Sequence, residues 1–287
     1  MNYIIVIIAT VLLAFDFAVQ KKYQAIEGAD LTAGLRFNAL NGLFTALIFF
    51  VLNGFKADFS LFSLILAFAL VLFGVAYSVI GFKILKISGM AIYTIFLMSG
   101  GMLLPYFYGV LFLKEELNLF RIIGVIAIFI AIIFSNKAKH SIKATVLIYC
   151  VAVFILNGFV AIISKTHQIT VNFATVSSTA FIMYSGIAKF LLSSTMLLFC
   201  KEKRNLISFS SRNTIIIVMS SAFIGGVSYM LQLIGAKELP ATVLYPIVTG
   251  GSIIFSALSG KIFFKEKLSF YQLVSIALCF IGTLLFL

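Results

Sequence analysis

Three ionisable side chains stand inside apolar runs of this sequence, where their types and positions can do chemistry. Asp16 lies in the run 3–20, Arg36 in 34–53 and Lys189 in 175–200. A charge at the centre of a hydrocarbon-spanning helix costs ~2.5–3.5 kcal/mol on insertion scales, so such groups usually face a cavity or a partner. Asp16 is the only acid well within any run. As a cavity carboxylate it can bind a cation or exchange a proton; its bland alternative is a structural ion pair. Lys189, near the middle of its run, offers an ammonium to a carboxylate or phosphate on a ligand; the alternative is a long stem that snorkels to the surface. Arg36 has the planar guanidinium that suits a carboxylate, or else it anchors a helix end at the interface. Together the three charges suit a zwitterion such as an amino acid, or an organic anion with Asp16 as proton carrier.

Neutral polar residues in the same runs are secondary candidates for binding a small molecule. Tyr93 and Tyr245 occupy matched places and can line a cavity with their rings and hydroxyls, or simply pack. Asn157 and Gln232 can touch a ligand or bridge helices at ~0.6 kcal/mol each. The same choice holds for Asn38 and Asn41. His140 and His167 fall between runs and are expected to be solvated. No nucleophile–base arrangement, phosphate-binding glycine loop or clustered metal-ligand spacing is present, so neither an enzyme, a cofactor nor a metal is expected. Thirty-two phenylalanines read as lipid-facing bulk and core.

The elements that position these residues follow from composition. Hydrophobic residues make up 62% of the chain and charged ones 10%, with mean hydropathy +1.18. A soluble domain needs roughly a quarter of its residues charged. The apolar blocks approach the ~20 residues that span hydrocarbon, and lack the alternation of barrel strands. The expectation is an all-α integral membrane protein with ten spans, near 3–20, 34–53, 61–82, 90–112, 119–135, 145–164, 175–200, 213–234, 240–262 and 270–287. The net charge of +12 sits at block ends, as headgroup anchors to a lipid bilayer and not as a nucleic-acid footprint. Three cysteines in or beside apolar blocks argue against a disulfide framework. Met1-Asn2-Tyr3 lacks a basic region, so the first run is expected to be a span and not a cleaved signal peptide.

The second half repeats the first. Gly74-Val75-Ala76-Tyr77 matches Gly226-Val227-Ser228-Tyr229, Tyr93 matches Tyr245, Gly100-Gly101 matches Gly250-Gly251, and Phe112 to Leu117 matches Phe263 to Leu268, at offsets of 150 to 152. Weaker matches join Lys21 and Gln24 to Lys165 and Gln168, and put Asn41 opposite Lys189. The division is a first repeat at 1–135, a linker at 136–144 and a second repeat at 145–287. Five spans per half send the second half into the membrane upside down, the plan of many secondary transporters with a midplane site. Pro105, Pro246 and the Gly-Gly pairs are expected to loosen their helices. Glu115 and Glu266, at span ends, are expected to cap helices or fix loops.

Ten spans in two halves, each with an aromatic residue, Gly-Gly and a Lys-Glu motif before a final Gly-bearing span, resemble the drug/metabolite transporter superfamily, and more narrowly the EamA-domain transporters. The motifs here are Lys114-Glu115-Glu116-Leu117 before Gly124, and Lys265-Glu266-Lys267-Leu268 before Gly282. The chain departs from the pattern at Ser88, which stands where the second half has Pro240. The resemblance implies a multi-pass protein of a bacterial inner or plasma membrane that moves a small-molecule substrate, with protons as one coupling choice. It implies a cavity built by spans one to four and six to nine, with spans five and ten in support or in a homodimer. A multidrug or cationic-compound exporter and a non-transporting membrane scaffold are the competing expectations. Odd-numbered loops carry 14 Lys and Arg against 5 in even-numbered loops, which places both termini outside; the resemblance places them in the cytoplasm.

Overall fold

A computed structural model describes residues 2–28, 30–88, 90–135, 144–200, 212–265 and 270–286. The described residues form ten helices: α1 (Asn2–Glu27), α2 (Leu31–Leu52), α3 (Leu61–Ser88), α4 (Met90–Leu111), α5 (Leu119–Ser135), α6 (Ala144–Ile169), α7 (Ser178–Leu198), α8 (Arg212–Glu238), α9 (Ala241–Phe264) and α10 (Phe270–Leu284). Eight are long and apolar enough to cross a membrane. The other two are shorter apolar helices: α5 has the 17 residues of its expected run 119–135, and α10 has 15 residues, ending at Leu284 within its expected run 270–287. At 1.5 Å per residue they reach about 23–26 Å against a hydrocarbon core of about 30 Å.

Several helices run past their apolar blocks. α1 carries seven residues beyond Gln20, and α6 five beyond Ser164. At 26 residues each is about 39 Å long, so its polar last turns reach the headgroup zone while keeping helical hydrogen bonds. This moves Asp16 to the middle of its helix. It also carries Lys165 and His167 into α6, where they are buried, instead of leaving them in a loop.

The principal packed pairs are α2 with α7, α5 with α10, α4 with α9, α1 with α8 and α9, α6 with α3 and α4, α2 with α8, and α3 with α7. Apolar burial drives little association in lipid, so small residues that admit close backbones decide where helices cross. A Cβ on Gly42 of α2 would lie 2.8 Å from the Gly186 carbonyl of α7, and one on Gly186 would lie 2.8 Å from the Gly42 carbonyl. Gly124 and Gly282 make the same reciprocal contact between α5 and α10. Exposed Ile65, Phe68, Leu72, Ile148 and Phe280 cover the outer faces.

The proline and glycine signals read differently in three dimensions. α4 and α9 are continuous through Pro105 and Pro246. The Gly-Gly pairs, expected to loosen their helices, are notches for close packing. A Cβ on Gly100 would sit 2.1 Å from the Phe154 carbonyl oxygen, one on Gly101 would meet Asn157, and Gly251 holds Thr10.

The repeated Lys-Glu motif has a local geometry that explains its residue types. Lys114 and Lys265 both adopt left-handed backbone, φ 54° and 53°, just past the ends of α4 and α9. The turn at Lys114 swings Glu115 back toward the bundle. Its Oε1 accepts from the Ala241 N–H at 2.7 Å and its Oε2 from the Thr242 N–H at 2.8 Å. Pro240 at the N-cap offers no side-chain cap, so Glu115 caps α9 from a distance and across the sequence halves. Glu266 lies outside the described residues, as do His140 and residues 136–143 of the linker.

Candidate functional site

Where α1, α2, α7 and α8 meet, the bundle encloses a cavity of about 570 Å³. α3, α4 and α6 complete its walls; α9, expected as a wall from the resemblance, contributes no lining residue among those described. Asp16, Lys189 and Tyr93 all line it. Asp16 is buried and packs on Gly225, where an added Cβ would lie 2.6 Å from Oδ2. Half-buried Lys189 enters from α7 beside the Gly42–Gly186 crossing. Tyr93 lies over Gly81, with its ring 2.5 Å from where a Cβ would be.

The two opposite charges are joined by side chains that sequence reading undervalued or missed. Lys189 Nζ donates to Asn41 Oδ1 at 2.9 Å, and Asn41 Nδ2 donates to Ser221 Oγ at 3.4 Å. The Ser221 hydroxyl donates to Asp16 Oδ1, and Gln20 Nε2 donates to Asp16 Oδ2 at 2.8 Å. An ammonium has only donors, so it fixes the Asn41 amide with its oxygen toward Lys189 and its nitrogen toward Ser221. Asp16 accepts on both oxygens. Asn41 and Ser221 are buried at 8% and 1% exposure, so these bonds are shielded from water. The cavity's apolar faces come from Phe17, Phe37, Leu70 and Val71, with Tyr77 and Tyr229 among the ring walls.

The other four candidates lie elsewhere. Arg36 pairs with Glu27 at 3.4 Å near the α1–α2 turn, where Glu27 also accepts from Thr214 at 3.0 Å. Tyr245 is buried and donates to the Ala161 carbonyl at 2.5 Å. Asn157 donates to the Leu97 carbonyl at 2.7 Å, and Gln232 to Ser228 at 3.2 Å. Tyr245 and Asn157 thus bond across to a neighbouring helix, Gln232 bonds within its own helix, and Arg36 pairs with the end of α1. None of the four lines the cavity.

The two ends of the cavity differ. Toward the α1–α2 turn it continues into a smaller cavity of about 110 Å³ that shares Gln20, Gln24, Asn38 and Ser78, and Gln24 is exposed. The opposite end is tied shut by the last turns of α6. His167 stacks on Phe181 with ring centres 3.9 Å apart and hydrogen-bonds Ser63 at 2.9 Å. Gln168 donates to His167 Nδ1 and accepts from Ser178. The His167 ring therefore presents Nε2–H to Ser63, and the residue is buried instead of solvated. Lys165 Nζ donates to the Ala236 and Leu239 carbonyls at 2.7 and 2.6 Å, and Ser164 meets the Tyr229 hydroxyl at 2.7 Å. Beyond them Asn53 accepts from Ser177 and Thr179, and Tyr184 donates to the Asp58 carbonyl.

Apolar helices of membrane-spanning length around a cavity that holds one charge of each sign define a multi-pass membrane protein with a polar interior site. The profile of the EamA-like transporter family matches residues 144–287, and the chain belongs to that family. Its family is one of membrane transporters. No curated protein matches the chain. The crystal structure of another protein aligns with TM-score 0.79 over 99% of this chain and 97% of that chain, at 14% identity. That likeness concerns the fold alone.

Proposed function

We propose that this protein is a secondary transporter that moves a small polar metabolite, an amino acid or an organic anion, by alternating access between two inverted five-helix repeats. The observation that carries the reading is a central cavity with Asp16 and Lys189 in its walls, continuous toward one end of the bundle and tied shut at the other. A ligand-binding cavity of 300–1,000 Å³ suits a small molecule. Lys189 spends one N–H on Asn41, and its remaining donors are available to an anionic oxygen of the cargo.

The helix pairing supports the repeat. Exchanging α1–α5 for α6–α10 in order turns each principal pair into itself or into another principal pair: α1 with α8 becomes α6 with α3, and α1 with α9 becomes α6 with α4, while the lesser pair α6 with α8 has no such counterpart among the described residues. The pairs α2–α7, α4–α9 and α5–α10 map onto themselves, and two of these meet at reciprocal glycines. The division at 1–135 and 145–287 follows this exchange. α1 and α6 are then counterparts, with the open end at the last turns of α1 and the closed end at the last turns of α6. Rocking of one half on the other would trade these roles. A non-transporting scaffold has no use for a charged cavity, and a carrier of organic cations leaves Lys189 opposing its cargo.

A thermal-shift screen of the purified protein against amino acids, organic acids, sugars and nucleotides tests the reading. A ligand at 100 times its Kd adds about 2.7 kcal/mol to stability. The hit is then followed as uptake into proteoliposomes. Lys189→Met is expected to abolish uptake while its melting curve stays cooperative. Unchanged uptake kinetics in Lys189→Met would remove this lysine from the site.

A further inference from the structure

The hydrogen bonds between the two cavity charges have a single direction. Every link donates toward Asp16: ammonium to amide oxygen, amide nitrogen to hydroxyl oxygen, hydroxyl to carboxylate. The links come from α7, α2, α8 and α1, so the chain also crosses between the two sequence halves. Reversing the Asn41 amide would set donor against donor at Lys189, and reversing the Ser221 hydroxyl would set acceptor against acceptor at Asp16. The direction is the one that a Lys189 cation, which can only donate, and an Asp16 carboxylate, which can only accept, enforce at the two ends.

We propose that Asn41 and Ser221 are positioning residues that couple Lys189 to Asp16, so that an anion seated on Lys189 obliges Asp16 to take up one proton. The proposal rests on the cavity being the binding site. Charge balance gives its logic. Empty, the cavity holds one carboxylate and one ammonium and carries no net charge. A monoanionic cargo on Lys189 cancels the ammonium and leaves Asp16 unbalanced in a shielded interior, where a lone charge is costly. One proton from the aqueous side, added to the Asp16 carboxylate, restores neutrality. A zwitterion brings its own cation to Asp16 and needs no proton. The 3.4 Å link between Asn41 and Ser221 is the longest in the chain.

The titratable groups facing Asp16 across the cavity are few. They are Lys189 of α7, Tyr229 of α8, Tyr77 of α3 and Tyr93 of α4 among the described residues. Lys189 is the one cation among them. Its effect on Asp16 is therefore readable without any cargo, because Lys189→Met imitates a lysine whose charge an anion has cancelled.

The test is infrared difference spectroscopy of the full chain in lipid vesicles, stepped through pH. The carboxylic-acid band that vanishes in Asp16→Asn belongs to Asp16. The unmodified protein is expected to hold Asp16 as carboxylate at neutral pH. Lys189→Met is expected to raise the proton affinity of Asp16 by about tenfold or more, which is about 1.4 kcal/mol. Asn41→Leu, which keeps Lys189 but removes the link, is expected to raise it comparably, and Asn41→Ala is the second variant should Asn41→Leu not fold. Ser221→Thr keeps the hydroxyl and is expected to behave as the unmodified protein. A shift in Lys189→Met with none in the Asn41 variants would mean that the charge acts through space, and would overturn the role of Asn41 and Ser221. No shift in either would overturn the coupling itself. Neither result depends on transport, so failure of the coupling and failure of the transport reading are separate outcomes.

Discussion

Removal of the Glu115 carboxylate is the sharpest test of how the two halves are held together. The four first N–H groups of a helix have no partner within it. In α9 two of them, Ala241 and Thr242, are satisfied by Glu115 at 2.7 and 2.8 Å, and the N-cap residue is a proline without a polar side chain. A hydrogen bond to a charged group contributes ~1.5–3 kcal/mol. Glu115 is only half-buried, which favours the low end of that range for each bond. Glu115→Ala should then cost about 2–4 kcal/mol, and Glu115→Gln, which keeps one acceptor but no charge, about 1–2 kcal/mol. The chain has no tryptophan, but Cys150 and Cys279 are buried, so a thiol-reactive dye reports unfolding as these cysteines become exposed. Thermal unfolding in detergent should rank unmodified above Glu115→Gln above Glu115→Ala. Equal stability of all three would refute the remote cap, and an equal loss in both variants would refute the division between geometry and charge.

Four further outcomes follow from contacts already described. Gly42→Val sets a side chain 2.7–2.8 Å from backbone of α7 and should cost about 1–3 kcal/mol or prevent folding, measured by the same dye assay. Gly81→Ala pushes Tyr93 toward the cavity; it should change cargo affinity several-fold in a binding assay while leaving the melting temperature nearly unmoved. Lys165→Met leaves the Ala236 and Leu239 carbonyls without their donor and should destabilise the protein by about 1–3 kcal/mol. Lys114→Gly relieves a left-handed backbone at a non-glycine residue and should gain up to about 1 kcal/mol, read as a raised melting temperature in the same dye assay.

The helices were legible because the bilayer demands them: long apolar blocks have one economical form there. Asp16 and Lys189 were legible for the same reason, since charges inside such blocks need company. What the sequence did not display was which polar groups would find one another. Ser221 sits beside Ser220 in a run of small residues and gives no outward sign that its hydroxyl meets Asp16. Asn41 and Lys189 were noticed as opposite positions, and only the crossing of α2 over α7 turns that coincidence into a 2.9 Å bond. Arg36 seemed a ligand for a carboxylate and is one, but the carboxylate is Glu27 of its own chain. Tyr245, Asn157 and Gln232 carry the polarity of binding residues, yet a carbonyl on a packed helix claims the first two and a hydroxyl one turn away on the same helix claims Gln232. His167 seemed to lie past a helix end because Lys165 and Gln168 break the apolar run; the helix continues through them because their polar atoms are bonded inside the bundle.

The mutual contact of Gly42 and Gly186 sets the mechanical scale of everything near it. With no side chains between them, the two backbones bear directly on each other, as an axle bears on its housing. In a tilting motion of the halves, points beside the axle travel least and the far loops travel most. Asn41 is next to one glycine and Lys189 is less than one turn from the other. Cargo held there would stay nearly still while the ends of α1 and α6 sweep past it.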